Sequence, residues 1–178
     1  MPKIGNLLVA PPNIDNWWEK SVIVVLEENQ YGNTGIIINK QSNLSVCELG
    51  EKLGVDIDIP GMVYVGGPVS ITNLGMMHSN EWKCSNTVII NEHFSISSSK
   101  DILNRLSNDD TPEYWRLFIG MCAWPDTKLK SELDDNKWYL ADSFTDLLFD
   151  YEADEQWDMA INQSATYFSN SILSGYNN

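Results

Sequence analysis

The residues that can act as acids, bases, nucleophiles or metal ligands are few and scattered. Two histidines stand at positions 78 and 93, and three cysteines at 47, 84 and 122. His78 closes the stretch "MVYVGGPVSITNLGMMHS", in which an apolar run meets Gly66-Gly67-Pro68. Glycines after a strand cradle a phosphate when a helix follows them. A phosphate loop reads Gly-x4-Gly-Lys-Ser/Thr, and a dinucleotide loop Gly-x-Gly-x-x-Gly. Here Val69 and Ser70 follow Pro68, which has no N–H, and no helical pattern begins. The stretch therefore reads as a turn. Gly67 takes a conformation closed to a side chain, and Pro68 ends the strand. A glycine pair also lets a ligand or another segment approach the backbone, so a pocket wall is a second reading.

A lone His at the end of an apolar strand is ordinarily a hydrogen-bonded core or edge residue. Catalysis would require an oriented carboxylate or nucleophile beside it. Glu132 is the carboxylate of most interest, placed on a short helix after Trp124-Pro125 and two residues before Asp134-Asp135. Its plainer reading is a surface side chain or a cap to neighbouring amides. A hydrolase built on His78 with Glu132 or a nearby Asp is thus the enzymatic alternative, with no other catalytic residue indicated. No Gly-x-Ser-x-Gly elbow occurs. His78, Cys84 and His93 lack metal-ligand spacing, so neither metal nor cofactor is expected. The segment "DDNKWYLADSFTD" lacks the central Gly and terminal Glu of a calcium loop. Adjacent carboxylates such as Asp154-Glu155 do not face one another on a helix, so glycosidase chemistry is not readable from them.

Charge narrows the partners. The 178 residues include 25 acidic and 11 basic side chains, a formal charge of −14, with no basic run. Phosphate backbones and anionic membranes are both disfavoured by that balance. A protein or small-molecule partner is the remaining expectation. Three cysteines without a Cys-x-x-Cys pair suit a reducing compartment. The N-terminal segment "MPKIGNLLVAPP" has no sustained apolar run, and no stretch reaches membrane-spanning length. The chain reads as cytoplasmic.

These residues need elements to position them. The length suits one domain spanning residues 1–178. "GNLLVA", "SVIVVLEEN" and "TGIIINK" read as strands, the last two forming a hairpin across "NQYGN". "GMVYVGG", "LGMMHS", "NTVIIN" and "YWRLFIGMCAW" read as four more. "SVCELGEKLG" predicts a helix with a Ser45/Glu48 capping box and a Gly54 stop. "SKDILNRLS", "TKLKSELDD" and "DSFTDLLFD" predict short helices, the first capped by Ser99. A final helix spans about 152–173, with Trp157, Ile161, Phe168 and Ile172 on one face. Strands early and helices at irregular intervals give an α+β class with a mixed sheet, not a βαβα alternation. Small Gly120, Cys122 and Ala123 among large neighbours suggest a strand running close under another element.

Several of these blocks, in this order, resemble the YqgE/AlgH family (UPF0301/DUF179). "GNLLVAPP", "YGNTGIIINK", "YVGGPVS", "MMHS", "SKDIL" and "FIGMCAWPDTKLKSELDDNKW" carry the resemblance from near the N-terminus to about the final helix. It implies a strongly bent or barrel-like sheet flanked by helices. It implies no activity, and one branch carries a transcriptional-regulator label that the −14 charge disfavours here for direct DNA binding. The sequence departs from the family pattern at Glu28-Asn29, where His-Asn is usual, and at Thr127-Lys128, where Gly-Gln is usual. The matching positions Asn39, Lys40, Gly66, Gly67, Pro68, His78, Trp124, Glu132 and Trp138 form the candidate ligand- or partner-binding set. A non-catalytic binding or regulatory protein is the function these readings favour.

Overall fold

The computed structural model describes residues 2–175. In chain order its strands are β1 (Leu7–Val9), β2 (Val22–Asn29), β3 (Gly32–Ile37), β4 (Gln41–Ser45), β5 (Met62–Val65), β6 (Val69–His78), β7 (Thr87–Ile89), β8 (Ser95–Ser97), β9 (Trp115–Pro125) and β10 (Tyr139–Ala141). Its helices are α1 (Val46–Leu53), α2 (Asp101–Leu106), α3 (Lys128–Asp134), α4 (Thr145–Phe149) and α5 (Ala153–Gly175). The chain divides into two compact units. One holds the residues up to Asn39 and from Ala123 onward, the other Lys40–Cys122.

The first unit grows from the β2–β3 hairpin. Val22 to Val25 are all fully buried, and Ile36 and Ile37 face them across an antiparallel register of Val24 with Ile36. Each such side chain contributes about 1.5–3 kcal/mol by leaving water. The register shifts between Val25 and Glu27, and bulges of this kind bend a strand. β1 pairs antiparallel with both β2 and β10. Leu129 of α3 and Leu147 and Leu148 of α4 are fully buried. Trp157 of α5 donates its indole N–H to the Ala10 carbonyl at 2.8 Å.

The second unit has its own core, with Val46, Leu49, Val63, Met76, Trp82, Ile102, Leu106 and Leu117 among its members. β6 pairs antiparallel with β8 and β9, β8 with β7, and β5 runs parallel to β9. The sheet is therefore mixed and the class α+β, as the sequence implies. Ser45 caps α1 through the reciprocal box with Glu48, and Gly54 ends it in the left-handed conformation (φ 73°).

Some elements differ from the sequence reading. β4, β8 and β10 are extra strands. β4 is polar, and the other two are three residues long, so alternation had no room to register. β6 begins at Val69, directly after Pro68, whereas β5 already ends at Val65. Pro68 therefore precedes a strand; it does not terminate one. The first five residues of β6 are exposed, which hid them from an argument based on burial. Lys100 holds the cap position of α2, while the Ser99 hydroxyl still accepts the Asp101 N–H at 3.2 Å. α5 covers the expected final helix, and the side chains of Phe168 and Ile172 lie outside those described.

Candidate functional site

His78 ends β6 in the second unit with no exposed surface. Nδ1 lies 2.8 Å from the Ser79 carbonyl oxygen, which only accepts, so the proton sits on Nδ1. Nε2 is then an acceptor for the Ser97 hydroxyl, also at 2.8 Å. Ser97 Oγ lies 2.8 Å from Thr87 Oγ1 in turn. The ring packs edge-on against Trp82, centroids 5.0 Å apart. Burial pushes the imidazole pKa below 6.5, opposed by the Ser79 carbonyl and the Glu81 charge and reinforced by Arg105. The ring is neutral, and both nitrogens are committed.

The Gly66-Gly67-Pro68 turn sits where β5 leaves the sheet beside β9. A Cβ on Gly67 (φ 156°) would lie 2.2 Å from the Met121 carbonyl carbon, and one on Gly66 2.3 Å from the Gly120 oxygen. Gly120 (φ 78°) answers from β9, where a Cβ would come within 2.3 Å of the Gly67 oxygen. The glycines permit a backbone crossing, the close approach suggested by Gly120 and Cys122. The Cys122 thiol donates to the Gly66 carbonyl at 3.4 Å. The Lys40 carbonyl accepts the Val65 N–H at 2.7 Å nearby.

Four candidates lie in the first unit. Asn39 is buried, accepting the Val22 N–H at 2.9 Å and donating to the carbonyls of Lys20 (2.8 Å) and Ala153 (3.3 Å). Trp124 at the end of β9 and Trp138 before β10 each donate an indole N–H to Glu132 Oε2 at 2.9 Å. Lys128 Nζ stands 3.7 Å from Oε1 of the same carboxylate, one turn away on α3. The two indoles are 6.4 Å apart and perpendicular, and Trp18 stacks edge-on against Trp138 at 5.6 Å. Glu132 thus organises an aromatic cluster in which both indoles are 6% exposed.

The candidate set is divided, with Lys40, Gly66, Gly67, Pro68 and His78 in the second unit and the rest in the first. Two cavities are lined by other residues. One, about 630 Å³ in the second unit, is lined by Leu53, Leu74 and Leu103 together with Thr72, Lys100 and Asn104. The other, about 390 Å³ in the first unit, has polar and charged residues around it, yet most of its surface is made by apolar atoms. Glu28, Asn29 and Asn33 of the hairpin face Asp126, Thr127 and Lys130 of the β9–α3 corner across it. Its only sequence signal is the departure from family pattern at Glu28-Asn29 and Thr127-Lys128. Among the described residues no three His, Cys, Asp or Glu side chains gather as metal ligands. No described helix is long and apolar enough to cross a membrane.

The family model described as DUF179, AlgH-like, matches residues 7–168. A UPF0301 protein of Shewanella denitrificans is 30% identical over 161 residues, covering 88% of each chain. A UPF0301 protein of Haemophilus influenzae is 29% identical over 165 residues, covering 89% of this chain and 88% of its own. The solution structure of AlgH from Pseudomonas aeruginosa matches with a TM-score of 0.76 at 27% identity, covering 89% of this chain and 87% of that one. A crystal structure from Corynebacterium diphtheriae shares the fold, with a TM-score of 0.64 at 20% identity over 82% of this chain and 78% of the other.

Proposed function

Since the chain belongs to the AlgH-like DUF179 family, whose model and relatives carry no activity in their names, we propose from its own chemistry that it is a non-catalytic binding or regulatory protein. Its partner is a protein or a small ligand, and its compartment is the cytosol. The observation that carries this reading is His78, the residue best suited to acid–base work. It is wholly buried, neutral, and bonded through both ring nitrogens. Glu132 is spent in a similar way, holding two indoles in place. Thiols at all three cysteines accord with a reducing compartment.

One observation favours an enzyme. Ser97 Oγ and His78 Nε2 stand 2.8 Å apart, the separation of a nucleophile and its base. Ser97 has no exposed surface either, so a substrate has no path to the pair. Binding is tested by thermal shift of the full chain against a panel of polar metabolites, together with native capture from cell extract. A ligand that raises Tm, or a partner recovered in stoichiometric amount, is the expected result. Failure of both arms contradicts the proposal.

A further inference from the structure

We propose that a chain of two hydroxyls carries the charge state of the buried His78 ring to the Cys84 thiol, a pH-sensitive device built into the β6–β8–β7 side of the sheet. The chain is continuous. His78 Nε2 lies 2.8 Å from Ser97 Oγ on β8, and Ser97 Oγ lies 2.8 Å from Thr87 Oγ1 on β7. Thr87 Oγ1 accepts the Cys84 N–H at 2.8 Å and stands 3.7 Å from Cys84 Sγ. His78 and Ser97 have no exposed surface, whereas Thr87 and Cys84 are half-buried, so the chain leads from the core towards solvent.

Each hydroxyl has one hydrogen, so the ring decides where both point. While the ring is neutral, the Ser97 hydrogen is committed to Nε2. Only the Thr87 hydrogen is then left to lie between the two hydroxyl oxygens, and Sγ receives no donor from Thr87. A proton passed by a hydronium ion to Thr87 Oγ1 reverses the chain. Thr87 releases its former hydrogen to Ser97 Oγ, Ser97 releases its own to Nε2, and the ring takes up the charge that the hydronium loses. The Ser97 hydroxyl now donates to Thr87, and the Thr87 hydroxyl turns to Sγ. Thr87 Oγ1 accepts twice in that state, from Ser97 and from the Cys84 N–H, which fills its two lone pairs. The charges that act on the ring are Glu81, which favours its protonation, and Arg105 of α2, which opposes it. Arg105 lies over Trp82 at 4.0 Å and is bound to Asp110 at 2.6 Å. β9 sets Trp115 opposite His78, and its Arg116 lies over Tyr64. β7 and β8 contribute no ionisable side chain, and Glu92 and His93 at the turn between them lie 3.5 Å from one another. Burial holds the ring neutral until the solution turns acid.

The test follows the isotope-labelled full chain by NMR from about pH 7.5 to 4.5. At the upper end the ring nitrogens of His78 should report a proton on Nδ1 and none on Nε2. As the ring titrates, the Cβ and Hβ shifts of Cys84 should move with the same midpoint. Thr87→Val removes the outer hydroxyl and keeps the volume. In that variant His78 should still titrate while Cys84 loses most of its response, and Thr87→Ser should restore it. A field acting through space would survive Thr87→Val, so the pair separates the relay from plain nearness of charge. His78→Gln should abolish the response, which removes Glu81 and Asp110 as its source; the Thr87 pair decides the matter if this variant fails to fold. A ring protonated at Nε2 near neutrality, a ring that stays uncharged throughout, a Cys84 shift that does not follow the ring, or an unchanged response in Thr87→Val each overturns the inference.

Discussion

His78 and Glu132 show how a reactive side chain becomes structural. An imidazole that accepts from a serine hydroxyl works as a base only where a substrate can reach that hydroxyl, and here His78 and Ser97 both have no exposed surface. The consequence is measurable as pH dependence. The folded pKa lies below the ordinary 6.5, so the unfolded chain takes up a proton that the folded chain refuses. Stability present above pH 6.5 is therefore lost as pH falls from there towards the folded value. Glu48 adds a loss of its own lower down, below its ordinary 4.5, because its bonds to the Ser45 backbone and hydroxyl hold its pKa down. Melting temperature should fall between about pH 7 and 5 in the wild type, and this slope should flatten in His78→Gln. At Glu132, substitution by Leu strands two indole donors and is expected to cost about 2–4 kcal/mol in urea unfolding, whereas Gln, which keeps an acceptor, costs about 1 kcal/mol.

Elements account for what was legible in the sequence. The β2–β3 hairpin and the capped α1 announced themselves because apolar continuity, turn residues and the Ser45/Glu48 box agree locally. Strands β4, β8 and β10 carried no such agreement. They exist because neighbouring strands supply partners, and pairing of that kind is not written in a polar run of five residues or in a run of three. The Gly66-Gly67-Pro68 turn was legible as a turn but not as a crossing, since its reason lies at Gly120, far along the chain. Gly67→Ala forces a side chain onto the Met121 backbone and should destabilise by about 3–5 kcal/mol. Gly54→Ala meets open space at a left-handed helix end and should cost only about 1 kcal/mol. Equal losses in urea unfolding would contradict the crossing as the reason for the glycines. The cavity lined by Glu28, Asn29, Asp126 and Thr127 went unread because its walls come from the hairpin and the β9–α3 corner, far apart in sequence; Glu28-Asn29 and Thr127-Lys128 were visible only as departures from a pattern.

For the chain as a whole, a charge of −14 opposes polyanions at every approach. Duplex DNA should show no salt-dependent binding at physiological ionic strength in a fluorescence-anisotropy titration. Affinity that falls steeply with added salt would restore the regulator label in its DNA-binding sense. The larger claim is that this molecule works by holding a partner and not by turning over a substrate. It is tested most directly by assaying pure wild type, His78→Gln and Ser97→Ala against ester, amide and phosphoester substrates. The account expects all three to match the uncatalysed rate. Turnover by the wild type that is lost in either variant, with folding retained, would contradict it.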